Sequence, residues 1–559
     1  MATNLKIKML NLFSKTKRHL FENLIQYKYC LSLILLNFLT HYYFILQYKF
    51  VADDWDILVY SKLDQNSIIE LLLSSQRSIL FIILKFVSDQ FGGFALGYQI
   101  LNIITSTIIL LLIFSIAKHL SRKNNSNVNK ESYAFITALI FVLLFNKDEM
   151  YAWSLHFSNN IAYILYLGSL YYFITSEKKT FKLIISVFLF SIAIFTYETG
   201  IFLPILYFIY DWINKQDLKK SLYFGLPLGL FGIARLTNWL GYGSWPNSND
   251  MTSQNEFLTT YLRMILHSIG ETINNVIFSS YGLSSLNPMI LLGLVVMDIL
   301  IIVFIFRYIL IELKWDNFDG NYKNMMNLVL ISIAGLILSY IPMAIRGYLA
   351  TRHVLFIDIF ISLLLAIFIG FIAKKRMFVF LMYIIIIFCV IVNQGLYINW
   401  ITSGAIQESV NHSIFDNSNK LNQYNYIYIN ATDLSKTKPN SVIYALSNKD
   451  EMMRSQEKDR IYSPYIHSPG LEPGAVISMI EAANINLSKT TLIYGNYEGN
   501  NIFISSENTT LTYQNGSSGK YETINRSEYF EFNASNLLTY YKSYENTSFL
   551  FSANRNLMK

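Results

Sequence analysis

Phe50-Val51-Ala52-Asp53-Asp54-Trp55-Asp56 follows the first long apolar run of the chain, Tyr29 to Tyr48. Carboxylates at the mouth of a hydrophobic stretch tolerate hydrocarbon badly, so a cluster there faces a water-filled cavity and handles ions, protons or a reacting group. A plainer role also fits: Asp54 as N-cap of a short interfacial helix beginning at Trp55, with the indole at headgroup level. The run before it sits behind a basic leading segment. No small-residue cleavage site follows it, so it reads as a retained anchor rather than a signal peptide.

Composition agrees with a membrane setting. Of 559 residues, 53% are hydrophobic, 16% aromatic and only 14% charged, and mean hydropathy is +0.35, outside the habit of soluble globules. The net charge of +7 is unevenly spread: the last 159 residues hold 13 basic and 15 acidic side chains, against 31 and 22 before them. The basic excess therefore lies in the short loops of the apolar part. It is not interleaved with aromatics on one face, which speaks against nucleic-acid binding. The two cysteines, Cys30 and Cys389, lie in apolar runs and offer no disulfide framework.

Apolar runs recur at about 29–48, 95–117, 133–145, 157–175, 181–196, 200–212, 221–236, 287–307, 326–345, 353–373 and 377–399. The expectation is a polytopic α-helical membrane protein with about eleven transmembrane helices over residues 1–400. A cytoplasmic amino terminus puts Lys15, Lys17 and Arg18, Lys118 and Arg122, Lys178 and Lys179, Lys219 and Lys220, and Lys374, Lys375 and Arg376 on one side, as the positive-inside rule requires. The outer face then carries residues 49–94, the Asn146–His156 loop, Thr196–Gly200, Thr237–Leu286, the Arg346–Arg352 turn and everything after Trp400. Residues 256–279 read as an amphipathic helix on the membrane surface, with Arg263, His267, Glu271 and Asn275 on its wet side.

After Trp400 the composition turns to Asn, Ser, Thr and Tyr, with alternating stretches such as Tyr424-Asn425-Tyr426-Ile427-Tyr428-Ile429 that read as strands. Residues 401–559 are expected to form an extracytoplasmic α/β or mainly β domain. Its Asn-x-Ser/Thr triplets, from Asn411 to Asn546, arise readily by chance in such a composition and decide nothing.

Polar side chains from separate outer loops are the candidates for chemistry. They are Asp53, Asp54 and Asp56; Gln76-Arg77; Lys147-Asp148-Glu149; His156 with Asn159 and Asn160; Tyr197-Glu198; and Arg346, Arg352 and His353. Acidic and basic groups together suit a reaction in which a base deprotonates an acceptor while cations hold an anionic leaving group. Structural uses compete: snorkelling for Arg346 and Arg352, helix capping for Glu198, and satisfied core histidines for His156 and His353. No Gly-rich phosphate loop, HExxH pair or nucleophile elbow is present.

The first span ending in Ala52-Asp53-Asp54-Trp55, the acidic Asp148-Glu149 in the second outer loop, the long outer loops and the outer tail together resemble the GT-C glycosyltransferases over about residues 1–400. That resemblance implies a membrane enzyme of the cell envelope that takes a sugar from a polyprenyl- or dolichyl-phosphate carrier. It would pass the sugar, with inversion, to a glycan, lipid or protein acceptor. Asp54 or Asp53 is then the catalytic base, and Arg346, Arg352 and Arg77 are the lipid-phosphate ligands. Asp56, Asp148, Glu149, His156, Glu198 and His353 are further site candidates. Some relatives hold a divalent ion, for which Asp54 with Asp148 or Glu149 would supply oxygens to Mg²⁺ or Mn²⁺. The alternative is a lipid-linked glycan flippase or other transporter, which calls for ionisable groups within the spans rather than at their outer ends.

Overall fold

The computed structural model describes residues 27–48, 50, 54, 77–92, 94–123, 130–176, 179–237, 257–284, 286–312, 322–346, 353–372 and 376–416, and seven strand segments between 426 and 532. The helices are α1 (27–41), α2 (Ser78–Phe91), α3 (Ala95–Lys123), α4 (Lys130–Leu143), α5 (Asp148–Ala152), α6 (His156–Ile174), α7 (Thr180–Thr196) and α8 (Leu203–Ile213). They continue with α9 (Lys219–Leu222), α10 (Gly225–Thr237), α11 (Phe257–Ser284), α12 (Pro288–Glu312), α13 (Tyr322–Arg346), α14 (Leu355–Ile372) and α15 (Arg376–Asp416). Short 3₁₀ turns sit at Ile45–Gln47 and Glu198–Gly200.

Local signals explain several boundaries. Gly92 ends α2 at φ 49°, a conformation that suits glycine, and its N–H returns to Ser88 O. Pro288 opens α12, while Asn287 Oδ1 accepts the Met289 N–H at 2.9 Å.

The eleven-span expectation is corrected. Among the described residues three helices are long and apolar enough to cross a membrane: Ala95–Arg122, Met326–Ile345 and Met382–Ile401. Thr180–Thr196, Pro288–Val303 and Leu355–Ile369 are shorter apolar helices. The physical reason is length: α4, at 14 residues, rises about 21 Å, short of a hydrocarbon core of about 30 Å. An apolar run in the sequence marks burial as well as spanning, and α4 is buried along almost all of its length.

The expectation of an appended α/β or mainly β domain is corrected too. Among the described residues, the part of the chain whose side chains are described is helical and contains no strand. The helix α15 runs 41 residues, about 60 Å, and passes without a break through residues 400 and 401.

Burial along the helices runs opposite to that of a soluble protein. On α11 the small or polar Thr260, Ser268, Asn275 and Ser279 are buried, while Leu258, Leu262, Leu266, Ile269, Ile273 and Ile277 are exposed. The same inversion holds on α1, where Asn37, Thr40 and His41 face inward and Leu31, Leu35 and Phe38 outward. An exposed apolar stripe of this extent needs a hydrocarbon or protein neighbour, and polar groups turned inward find partners between helices. The wet-side reading of α11 is therefore overturned at Asn275. Its amide is buried and donates to Phe145 O at 2.8 Å.

The core lies where α3 packs on α4 and α6, α6 on α7, and α4 on α14. The helix α11 packs on α15 and α13. Its crossing with α15 is a backbone-to-backbone approach: a Cβ at Gly282 would strike Gly395 O, and one at Gly395 would strike Ser279 O. Small residues let two helices close in this way.

Gly395→Val is expected to cost about 1–3 kcal/mol by forcing these helices apart, seen as a lower melting temperature of the purified protein in detergent. Gly229→Ala, where a Cβ meets nothing within 4 Å, leaves it unchanged or slightly higher.

Candidate functional site

The segment from Phe145 to Leu155 turns back into one end of the helix bundle, and most of it is buried. Irregular backbone placed in an apolar setting must find hydrogen-bond partners. Side chains from two helices supply them, and two further helices meet the last turn of α4 that leads into the segment. His41 of α1 pairs with Val142 O at 3.0 Å, and Asn393 of α15 donates to Leu143 O at 3.1 Å. Asn275 of α11 takes Phe145 O, as above. Gln99 and Asn102 of α3 donate to Ala152 O at 3.0 Å and Trp153 O at 2.7 Å. These amides are what hold the loop's acidic and aromatic side chains in place.

Lys147 anchors the loop's first half. Its ammonium donates to Phe141 O and Leu144 O at the carboxyl end of α4, where a cation also suits the helix dipole. It lies 3.4 Å from Asp358 Oδ2, with both side chains at most 1% exposed. Asn146 donates to the other oxygen of Asp358 at 2.8 Å. Asp358 sits in the first turn of α14, the favourable end for an anion. Burial pushes the Lys147 ammonium down from the usual lysine range, and the Asp358 carboxylate opposes that push.

Asp54 joins the first outer segment to this loop. It is fully buried; Tyr48 Oη donates to Oδ2 at 2.9 Å and the Leu155 N–H to Oδ1 at 2.7 Å. Leu155 is the N-cap residue of α6. Asp54 thus meets the amino end of a helix a hundred residues further on; the helix expected to begin at Trp55 lies outside the described residues. These fixed donors orient the carboxylate.

Around it Tyr48, Trp153, Tyr397 and Trp400 form an aromatic cluster. Trp400 Nε1 donates to Asp148 Oδ2 at 2.7 Å, and the Trp153 ring stacks on His156, centroids 5.1 Å apart. Asn159 bonds His156 Nδ1. Asp54, Asp148, Trp153 and His156 therefore belong to one connected end of the bundle.

A second cluster sits on the Glu198–Gly200 turn. Arg77 grips Glu198 with both arms of its fork, Nε to Oε2 at 3.0 Å and Nη2 to Oε1 at 2.8 Å, and lies 4.6 Å above the Tyr197 ring. His353 stacks with the Tyr197 ring, centroids 6.0 Å apart. The turn is held close by Tyr166, whose hydroxyl donates to Tyr197 O at 2.8 Å. A Cβ at residue 200 would strike the Tyr166 ring.

Arg77 is thus committed to a carboxylate rather than presented as an open phosphate ligand. Glu149 is buried in α5. Arg346 is the last residue of α13; its side chain, and Asp53, Asp56 and Arg352, lie outside the described residues. Among the described residues no group of three or more His, Cys, Asp and Glu is placed to hold a metal ion.

Sequence reading passed over Asp358, Asp298 and the amides of Gln99, Asn102, Asn393 and Gln394. The signal was there: isolated Asn, Gln and Asp inside apolar runs, each needing a partner.

No family model matches the chain, and no curated protein shows significant similarity to it.

Lys147→Met strands Asp358 in the interior and is expected to cost about 3–5 kcal/mol. Adding Asp358→Leu recovers most of that loss, which thermal melting of the single and double variants in detergent measures.

Proposed function

We propose that this chain is a membrane glycosyltransferase that moves a sugar from a polyprenyl- or dolichyl-phosphate carrier to a glycan, lipid or protein acceptor, with inversion at the anomeric carbon. In this reading the amino terminus is cytoplasmic and the chemistry takes place at the outer face, where the lipid-linked donor presents its sugar. The observation that carries it is the union of Asp54 with the Leu155 N–H. It ties the carboxylate that follows the first helix to the acidic and aromatic loop before α6, the pairing that GT-C resemblance calls for. Asp54 acts as general base on the acceptor hydroxyl. The buried aromatic rings of Tyr48, Trp153, Tyr397 and Trp400 keep water from the carboxylate, which strengthens its interactions. Arg346 and Arg352 hold the leaving phosphate by their planar forks.

Export of a lipid-linked glycan is the second reading. It is favoured by Lys147, Asp358 and Asp298, ionisable groups fully buried in the bundle, which are expensive there and commonly functional.

The test follows release of lipid phosphate by the purified protein in liposomes, supplied with labelled polyprenyl-phosphate sugars and a cell-extract acceptor. Wild type consumes one donor. Asp54→Asn loses about 10²–10⁴-fold in turnover, the range for a removed general base, with unchanged protein yield. Full activity in Asp54→Asn removes the base assignment. Flux of a lipid-linked glycan without any donor cleavage establishes the second reading instead.

A further inference from the structure

Away from the loop, Asp298 and Gln394 form a contact that the glycosyl-transfer reading does not use. Asp298 lies on α12 and Gln394 on α15; their side chains are 0% and 1% exposed. Gln394 Nε2 donates to Asp298 Oδ1 at 3.2 Å and also to Leu39 O of α1 at 3.1 Å. Two acceptors are then left over, Asp298 Oδ2 and Gln394 Oε1, both buried and neither with a donor. No ion pair reaches Asp298 among the described residues.

Among the described residues, the groups facing it from neighbouring elements supply no cation. Tyr43, which follows α1, is in electrostatic reach of Asp298; its hydroxyl is neutral at physiological pH. On α1 itself, His41 is engaged by Val142 O. On α15 the nearest titratable side chains are Cys389 and Tyr397, five residues before and three after Gln394. Lys147 is taken up by Asp358.

A bare carboxylate here would be a buried charge with one neutral donor, beside a carbonyl oxygen that repels it. One particle answers both orphaned acceptors. We propose that Asp298 and Gln394 form a buried proton-binding site, in which Asp298 Oδ2–H donates to Gln394 Oε1 while Gln394 Nε2–H donates to Asp298 Oδ1. The acid and the amide close an eight-membered ring, and the second amide hydrogen binds α1 through Leu39 O. With its proton the site joins α12, α15 and α1 without net charge.

This matters for α12 because its outward face is apolar, with Met289, Leu292, Val296, Leu300 and Val303 all exposed. Among the described helices it packs chiefly on α15. Loss of the proton puts a carboxylate against the Gln394 carbonyl and loosens the one hydrogen-bonded tie described between α12 and the bundle.

The test is infrared difference spectroscopy of the full-length protein in detergent, wild type against Asp298→Asn, over a pH series. The substitution keeps an amide–amide pair in the same shape. The expected spectrum at neutral pH contains the carbonyl stretch of a protonated carboxylic acid, absent from the variant. Raising the pH makes this band fall about tenfold per unit beyond its midpoint, the slope of a single proton. Carboxylate stretches in its place at neutral pH overturn the proposal. Should Asp298→Asn fail to fold, dicyclohexylcarbodiimide, which adds whole to protonated carboxyl groups in apolar surroundings, is applied to wild type and mapped by mass spectrometry. Modification at Asp298 at neutral pH that disappears at alkaline pH supports the site; modification independent of pH overturns it.

Discussion

Backbone carbonyls placed in an apolar interior must be met by donors, and this constraint shapes the end of the helix bundle that holds the candidate site. The segment between α4 and α6 is irregular, buried and adjacent to Asp54. It persists there because Gln99, Asn102 and Asn275 reach its carbonyls, while Asn393 and His41 reach those of the last turn of α4 that leads into it. Each unmet carbonyl would cost on the order of 1–3 kcal/mol. The amides thus act together, and they fix the position of every acidic and aromatic group carried by the loop.

The Lys147–Asp358 pair follows the same logic at higher stakes. Two buried charges are tolerable only with good geometry and their remaining valences filled. Here carbonyls at the end of α4 take the spare ammonium hydrogens and Asn146 takes the second carboxylate oxygen. Asp298 is the contrasting case, a buried carboxyl group given one amide donor and no cation among the described residues. The inside-out burial of α1 and α11 gives both cases their setting, since polar groups turned inward have only each other for partners.

Much of the site was legible in the sequence. Asp54 stood out because it ended an apolar run, and Asp148, Glu149, His156 and Glu198 because they sat at the ends of others. The structure brings Asp54, Asp148 and His156 to one end of the bundle, with Glu198 in a second cluster on Arg77. What hydropathy misread was the meaning of the apolar runs. Lys130 to Leu143 is apolar because it is packed on several sides, not because it crosses a bilayer, so the span count came out too high. On α11 a four-residue spacing of polar groups identified the helix but not which way it faced; only tertiary contacts show that Asn275 points inward. Arg77 illustrates a further limit. Its pairing with Glu198 spans 121 positions, and no local pattern announces a contact of that separation.

The segment from Phe145 to Leu155 is a buried, hydrogen-bonded platform rather than an open surface loop. Hydrogen exchange of the purified protein in lipid nanodiscs, read by mass spectrometry over residues 142–155, tests it most directly. The Met150, Trp153 and Leu155 amides are bonded to Lys147 O, Glu149 O and Asp54, and protection comparable to that of α6 is the expected result. Exchange of these amides within seconds, at the rate of a solvated loop, would contradict it.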